Sequence, residues 1–220
     1  MPSATVEDYM KTIYGLQQRD PRRLVPMGDL ASAMGVAPGT ATSMIKTLSA
    51  SSLVNYEPRG GVRLTHSGEQ LALHVLRRHR LVELFLVKVL GLDWSQVHEE
   101  ADQLEHAISD TVLERIDELL DRPSVDPHGD PIPTPMGRVD LRPLQSLSQC
   151  APGDTGRIAR VTDQDAKFLR FVDRHGLTPG VVVSIDRRDE LADAVTVHPE
   201  GGDAVTIGTA AAKKILVASA

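Results

Sequence analysis

Residues 121–143 divide the chain into two parts with different hydrophobic patterns. This segment contains six prolines and two glycines, a composition that interrupts both helices and strands. Before it, apolar residues follow helical spacing, as in Val6, Tyr9, Met10 and Ile13. After it, short β-prone runs are separated by Gly- and Asp-containing turns. The chain is therefore predicted to be mainly helical up to this linker and to end in a small β domain.

The N-terminal region is predicted to be a winged helix. Apolar spacing predicts a first helix over 5–19 with Thr5 as its N-cap, a short second helix from Met27 to Met34 and a third helix from Pro38. Two β-prone runs over 53–65 flank a basic, glycine-containing turn, which predicts a hairpin. Two short helices joined by a tight turn, followed by a basic hairpin, form the winged helix-turn-helix pattern.

The third helix and the hairpin carry the candidate DNA contacts. Small polar groups and a lysine near a helix N-terminus can reach base edges and phosphates, and hairpin arginines can meet the backbone or the minor groove. The candidates are Pro38, Thr40, Thr42, Ser43, Lys46, Arg59 and Arg63. The alternative for this pattern is an interaction fold that does not contact DNA.

Two further helical regions are predicted before the linker. A long helix opens at Thr65–Glu69 and runs to about Leu90, where Gly91 ends it. One or two helices then follow between Asp93 and Leu120, with apolar residues at near-heptad spacing. A long apolar stripe beside many acids predicts a helical dimer interface.

The charge is distributed unevenly along the chain. The formal net charge of −6 alone disfavours a nucleic-acid binder. Residues 1–80, however, hold 10 Lys and Arg against 6 Asp and Glu, a net charge of +4, whereas residues 81–220 hold 14 against 24, a net charge of −10. The two parts are therefore expected to meet different partners.

Composition excludes several other kinds of site and classes of protein. Cys150 is the single cysteine, so an intramolecular disulfide, a thiolate zinc site and an iron–sulfur cluster lack ligands. The N-terminus has no signal-peptide pattern and no apolar run approaches 18 residues, so we expect a cytoplasmic protein without a membrane span. Seven aromatic residues are too few for a single-strand stacking surface.

The acidic region contains a cluster of metal-capable side chains. His98, Asp102, Glu105 and His106 follow one another at offsets of 4, 3 and 1, which places them along one helical face. The preceding helix adds His79 and Glu83 at helical spacing, and the first helix adds Asp8. Imidazoles with several carboxylates suit a divalent first-row metal. The alternatives are a solvated acidic face and a surface His–Glu pair, and the remaining histidines are expected to be structural or surface residues: His66, His74, His128, His175 and His198.

Four ordered motifs carry a family resemblance. They are E-D-Y-M-K-T-I-Y at 7–14, L-R-R-H-R-L-V-E at 76–83, V-H-E-E-A-D-Q-L-E-H-A-I-S-D at 97–110 and D-P-H-G-D-P-I-P at 126–133. Together they resemble the diphtheria-toxin-repressor family of metal-dependent regulators. The resemblance implies a winged helix, a helical dimerisation domain, a C-terminal SH3-like domain, and repression of metal-homeostasis genes when metal is bound. The two-fold symmetry of a homodimer then predicts a double-stranded DNA operator with an inverted repeat.

The same resemblance implies two metal sites. The primary site maps to Asp8, Asp102, Glu105 and His106, and an ancillary site maps to His79, Glu83 and His98. Longer members also lend ligands from the C-terminal domain, for which the best match here is Gln164, beside Asp163 and Asp165, with Lys167 at the other position.

Departures from the family pattern bear on the choice of metal. Iron-responsive members resemble this chain but have Met in place of Asp8 and Cys in place of Asp102, and oxygen ligands favour Mn²⁺. Manganese-type members have Glu in place of Asp102 and an acid in place of Lys11, so the separate ancillary site is favoured over a closely spaced metal pair.

The sequence thus predicts a mainly α fold with a small β part. The predicted domains are a winged helix-turn-helix over 1–72, a helical metal-binding and dimerisation domain over 73–142, and an SH3-like β-barrel over 144–220. The predicted function is an Mn²⁺-activated dimeric repressor, with Fe²⁺ or Co²⁺ as possible substitutes. The alternatives are an iron(II)-activated repressor, a metallohydrolase using His79, His98, His106 and Asp102, and a winged-helix regulator that senses an organic ligand.

Overall fold

The computed structural model describes residues 2–20, 23–140 and 142–219. It divides into two compact units, one comprising Met1–Arg78 and Pro133–Arg138 and the other His79–Ile132 and Val139–Ala220. The second unit therefore contains both the later helices and the β domain. The three domain boundaries given above remain a prediction.

The first unit has the predicted order of helices and hairpin. Its elements are α1 (Ala4–Arg19), α2 (Met27–Ala33), α3 (Pro38–Ala50), β1 (Val54–Glu57), β2 (Gly61–Leu64) and the first part of α4 (His66–Lys88). The N-cap differs from the prediction: Ser3 is extended and its side chain accepts a hydrogen bond from the Val6 amide. Thr5 lies inside the helix, because the chain enters helical geometry at Ala4.

The helix-turn-helix and the hairpin share one core. Gly35, at φ +63°, makes the turn that separates α2 from α3, a conformation that glycine adopts without strain. Strands β1 and β2 pair antiparallel, and Val25 forms a bridge to Val62. The inward residues of all three helices are fully buried with the hairpin, among them Tyr9, Ile13, Leu30, Ile45, Leu48 and Val62.

In the second unit, the region between Asp93 and Leu120 forms two helices. These are α5 (Val97–Leu104) and α6 (Asp110–Leu119), and Ser109 caps α6 by accepting a hydrogen bond from the Val112 amide. Both helices pack on the second part of α4, α6 through Leu113 and Ile116 and α5 through Val97 and Ala101. On the side of α6 next to this buried face, Val112 and Leu119 are exposed.

The C-terminal domain is a six-stranded antiparallel sheet, which confirms the predicted small β fold. Its elements are β3 (Gln145–Ser146), β4 (Thr155–Val161), α7 (Ala166–Arg174), β5 (Val182–Asp189), β6 (Ala194–Pro199), β7 (Val205–Gly208), α8 (Thr209–Ala212) and β8 (Ile215–Ser219). The strand order is β3-β8-β4-β5-β6-β7. The β4–β8 register shifts between Ile158 and Arg160, so Ala159 occupies a bulge. Cys150 is buried in this core.

The prediction of a linker is wrong for part of the proline-rich segment. Asp126, His128 and Asp130 are buried in the second unit, and Val125 bridges to Pro131. The proline and glycine content of this segment indicates that helices and strands are interrupted, but it does not indicate whether its residues are buried. Among the described residues, no helix is long and apolar enough to span a bilayer.

Candidate metal centre and DNA-binding helix

Helix α4 supplies two buried, metal-capable side chains. His79 and Glu83 are one helical turn apart and are 4% and 0% exposed. Their Nε2 and Oε1 atoms are 3.0 Å apart. A buried charge is costly unless it is paired or coordinated, so these two residues form a pair that needs further partners.

His98, from α5, completes what we call the imidazole cluster (His79, Glu83 and His98). Its Nδ1 lies 3.1 Å from Nε2 of His79 and 3.2 Å from Oε1 of Glu83. The three ligating atoms therefore converge on one point. The hydrogen bonds from His79 and His98 outweigh the effect of burial and lower the pKa of Glu83 to about 2.

The other ring nitrogen of His79 faces two more carboxylates. Nδ1 lies 2.6 Å from Oε2 of Glu105 and 3.2 Å from Oδ1 of Asp102. Burial lowers the pKa of His79, but the hydrogen bonds to Asp102, Glu105 and Glu83 together raise it well above its ordinary value. His79 therefore connects the imidazole cluster to residues that the sequence assigns to the primary site.

The predicted common helical face is only partly correct. His98 and Asp102 lie on α5, one turn apart, but Glu105 is the C-cap and His106 follows in the turn. Glu105 is fully buried, with its Oε1 atom 3.4 Å from Nε2 of His106. The break after Leu104 lets both side chains turn inward.

Asp8 lies on α1, in the first unit, and is half-buried. The neighbouring Glu7 is buried and pairs with Arg78 at 3.5 Å, which fixes this part of α1 against α4. The fourth ligand of the predicted primary site thus belongs to a different compact unit from Asp102, Glu105 and His106, and its role remains a prediction.

A second group of ligands, the loop cluster (Glu83, Asp126 and His128), was not predicted. Each residue offers one ligand atom, and these atoms lie within 4.8 Å of one another. Nε2 of His128 donates to the Trp94 carbonyl at 2.9 Å, so in the neutral ring Nδ1 carries a lone pair. That nitrogen lies 3.8 Å from Oε2 of Glu83.

The remaining atoms of the loop cluster show why it fits a cation. Oδ1 of Asp126 accepts hydrogen bonds from the amides of His128 and Asp130 at 2.8 and 2.9 Å. Its Oδ2 atom, Oε2 of Glu83 and Nδ1 of His128 are all buried without a hydrogen-bond partner among the described residues. Burial, together with the charges of Asp130 and Glu83, raises the pKa of Asp126 well above its ordinary value. Three converging lone-pair donors are a donor set for a divalent metal with N and O preference.

The sequence contained a signal for these residues that went unused. Asp126 and His128 belong to the motif D-P-H-G-D-P-I-P, but His128 was expected to be a structural or surface residue. Gln164, predicted as a ligand from the C-terminal domain, is half-buried, and its Nε2 atom lies 3.4 Å from Oδ2 of Asp130. The structure thus places Gln164 beside the loop that carries His128.

The structure separates the predicted DNA contacts into two groups. Pro38, Thr40, Ser43 and Lys46 are exposed on α3, and Arg59 is exposed at the hairpin turn. The other two candidates are engaged within the domain: Thr42 Oγ1 donates to the Pro38 carbonyl at 2.8 Å, and Arg63 Nη2 donates to the Arg23 carbonyl at 3.2 Å. The exposed face of α3 is therefore the stronger candidate for base contacts.

Three family models match consecutive parts of the chain. They are the iron dependent repressor N-terminal DNA binding domain over residues 1–62, the iron dependent repressor metal binding and dimerisation domain over 65–134, and the FeoA domain over 145–219. Together they cover most of the chain, in the order of the winged helix, the later helices and the six-stranded sheet.

Curated relatives and solved structures agree with this assignment. The chain is 32% identical to the iron-dependent repressor IdeR of Mycobacterium tuberculosis over 92% of this chain and 87% of the relative. It is 35% identical to the diphtheria toxin repressor of Corynebacterium glutamicum over 90% of this chain and 97% of the relative. A solved manganese-dependent transcriptional repressor in complex with manganese superposes with a TM-score of 0.88 at 40% identity, covering 98% of this chain and 100% of that chain.

These relatives are transcriptional regulators, so the alternative of a metallohydrolase is set aside. The matched domains account for DNA binding, metal binding and dimerisation within one chain. The protein belongs to the diphtheria-toxin-repressor family of metal-dependent transcriptional repressors.

Proposed function

We propose that this chain is an Mn²⁺-activated, homodimeric repressor of metal-homeostasis genes that acts in the cytoplasm. The observation that carries the proposal is the position of His79, which is buried between the imidazole cluster and the carboxylates of Asp102 and Glu105. Carboxylate and imidazole ligands without sulfur favour Mn²⁺ over softer metals. The solved relative in complex with manganese supports the same choice of metal.

The proposed primary site consists of Asp8, Asp102, Glu105 and His106. When bound, the metal would supply positive charge to a set of side chains dominated by carboxylates. Because Asp8 belongs to the winged-helix unit and the other three belong to the second unit, ligation by all four would bias the placement of the DNA-binding domain. The bias can be no larger than the difference in metal affinity between the two arrangements.

The proposed ancillary metal is held by the imidazole cluster and the loop cluster, which share Glu83. Oε1 of Glu83 faces His79 and His98, and Oε2 faces His128. Gln164 is proposed as a further ligand only if it leaves its contact with Asp130. Because Glu83 belongs to both clusters, they could hold one ion in common or one ion each. The number of Mn²⁺ ions bound per chain distinguishes these two arrangements.

The proposed operator is a double-stranded inverted repeat. A symmetric dimer places two α3 helices on half-sites that are separated by about one helical turn or a multiple of it. The proposed contacts are Pro38, Thr40, Thr42, Ser43, Lys46, Arg59 and Arg63, of which Thr40, Ser43 and Lys46 share the exposed face of α3.

Operator binding titrated separately with Mn²⁺, Fe²⁺, Co²⁺ and Zn²⁺ tests this function, with anaerobic handling for iron. We expect Mn²⁺ to activate binding at the lowest concentration and Asp8→Ala to abolish activation at moderate metal. Glu69→Ala, at an exposed acid in the first turn of α4, is the matched control. Activation by Fe²⁺ at lower concentration would favour the iron-responsive alternative. Operator binding that is unaffected by a chelator would contradict metal sensing altogether.

A further inference from the structure

The loop that carries Asp126 and His128 is attached to the C-terminal barrel through its backbone. The Val161 amide, on β4, donates to the His128 carbonyl at 2.8 Å. At Gly129, with φ +84°, an added Cβ would lie 1.9 Å from the Ala159 carbonyl oxygen. Ala159 is the bulge residue of β4, so the irregular point of the strand is also the point at which the loop approaches it.

Ion pairs between side chains also join this loop to the C-terminal barrel. Arg160, on β4, pairs with the buried carboxylate of Asp130. The same Oδ1 atom of Asp130 lies 3.5 Å from the guanidinium of Arg80, on α4. Arg80 also lies 3.6 Å from Oδ2 of Asp126 and donates to the Pro131 carbonyl at 2.5 Å. Two arginines from different elements therefore share the buried carboxylate of Asp130, and Arg80 also pairs with Asp126 on the same loop.

The position of Asp130 determines the position of the loop's ligands. The Asp130 amide and the His128 amide both donate to Oδ1 of Asp126, which closes the loop around this carboxylate. One carboxylate oxygen of Asp126 lies within 4.8 Å of the ligand atoms of Glu83 and His128. A displacement of Asp130 would move both loop ligands together.

We propose that Arg160 is a positioning residue of the C-terminal barrel, which holds Asp130 so that Asp126 and His128 face Glu83. The inference rests on the proposed function, because it takes the loop cluster to bind a divalent metal. It assigns to the barrel a role in metal affinity that does not require the barrel to donate a ligand. The contact is a close ion pair with a buried carboxylate, and removal of its partner would leave that charge buried without compensation.

Two effects of removing Arg160 have opposite signs, and this makes the proposal testable. If Arg160 only contributes positive charge, its removal leaves the cluster more negative and should tighten cation binding. If Arg160 positions the loop, its removal should weaken binding, because groups that orient metal ligands typically change affinity by about 10–100-fold. The direction of the change therefore separates the two roles.

The experiment is a titration of the full-length, metal-free protein with Mn²⁺, in which the quenching of Trp94 fluorescence measures binding. Trp94 is the single tryptophan, and its ring centroid lies 5.4 Å from that of His128. We expect Arg160→Met to weaken the apparent affinity by about 10–100-fold, and Arg160→Lys to restore it in part. The control is Arg157→Met on the same strand, where the exposed guanidinium donates to the Gly180 carbonyl at 2.6 Å.

A second variant changes the loop position without changing charge. Gly129→Ala introduces a Cβ against the Ala159 carbonyl and should weaken Mn²⁺ binding in the same direction. Circular dichroism melts report whether the barrel remains folded in each variant. An Arg160→Met titration equal to or tighter than that of the wild type would overturn the inference. If the wild type itself shows neither quenching nor metal-dependent operator binding, the proposed function fails instead.

Discussion

Nδ1 of His79 donates a 2.6 Å hydrogen bond to Oε2 of Glu105. A carboxylate oxygen accepts, so the ring nitrogen is the donor, and the opposite nitrogen of a neutral His79 presents its lone pair to Glu83 and His98. A carboxylate behind a histidine in this way fixes its tautomer and raises its basicity toward a metal. Since Glu105 is also a proposed primary ligand, the two proposed metal sites share this hydrogen bond.

Glu105→Gln should therefore weaken both proposed sites. The amide keeps the size of the side chain but removes the negative charge that faces Nδ1 of His79. We expect Mn²⁺ affinity to fall by about 10–100-fold, with a matching shift in the metal concentration that activates operator binding. Isothermal titration calorimetry and fluorescence anisotropy measure the two effects. Glu114→Gln, at an exposed position on α6, should bind metal like the wild type, and an unchanged Glu105→Gln titration would contradict the shared hydrogen bond.

The pH dependence of the metal-free protein should follow from His79. Because hydrogen bonds to Asp102, Glu105 and Glu83 raise its pKa well above the ordinary value of 6.5, its protonated form stabilises the folded state. This contribution is fully present below pH 6.5 and is lost as pH rises through the folded-state pKa. Asp126 adds a loss over a window of its own, from its ordinary pKa of 3.8 up to its raised folded-state pKa, because its ionisation there opposes folding. Glu83, whose pKa is lowered to about 2, contributes constant stability over this range.

Thermal melts in a chelator between pH 6 and pH 9 measure this loss. We expect the Tm of the metal-free protein to fall across the range and the fall to be smaller in His79→Gln. With saturating Mn²⁺, the metal-dependent increase in Tm should instead grow with pH, because protons compete with the metal for His79. Parallel pH profiles with and without Mn²⁺ would show that His79 does not bind the metal.

The local parts of the fold were predictable from sequence because short-range signals determine them. The start of α3 at Pro38 and the turn at Gly35 follow from backbone preferences of single residues. The apolar spacing of Leu30, Ile45 and Leu48 matches the buried core. The break between α5 and α6 was left open in the prediction, because near-heptad spacing continues through it.

Hydrophobic and ligand spacing could not predict the loop cluster, because the cluster depends on contacts between distant segments. Glu83 and His128 are brought together by the packing of a proline-rich loop on α4 and on the barrel. No periodicity in the loop signals this, and a histidine in a segment rich in Pro and Gly resembles an exposed residue. The ligands on helices were predicted because helical spacing places them together, as with His79 and Glu83.

The basic residues of the winged helix should contribute to operator affinity through phosphate contacts. Lys46 and Arg59 are both exposed, and each phosphate that a cation neutralises contributes about 0.9 to the slope of log affinity against log salt. We expect Lys46→Ala and Arg59→Ala each to reduce this slope by about one if each contacts one phosphate. Anisotropy titrations at several salt concentrations measure it. Lys167→Ala, exposed on α7, should leave the slope unchanged, and an unchanged slope in both test variants would exclude these contacts.

The exposed apolar side of α6 should form part of the dimer interface. Leu119 is 64% exposed and Val112 is 48% exposed, one above the other on the helix. Burial of one leucine side chain contributes about 1.5–3 kcal/mol, so Leu119→Glu should weaken dimerisation by at least about tenfold. Sedimentation velocity over a range of concentrations measures the dissociation. Leu191→Glu changes a fully exposed leucine in a barrel loop and should remain dimeric, whereas a dimeric Leu119→Glu protein would place the interface elsewhere.

Asp126→Asn should have opposite effects on the metal-free and the metal-bound protein. The amide oxygen can still accept the hydrogen bonds of the His128 and Asp130 amides, so the loop keeps its shape. Without metal, the substitution removes a buried charge that burial and neighbouring Asp130 and Glu83 disfavour, so we expect a higher Tm at pH 8 than for the wild type. With saturating Mn²⁺, it removes a ligand, so the metal-dependent increase in Tm should be smaller. Asp140→Asn, at an exposed carboxylate, should change neither value. An Mn²⁺-dependent increase in Tm that is as large in Asp126→Asn as in the wild type would exclude Asp126 as a ligand, because stabilisation by a bound metal depends directly on its affinity.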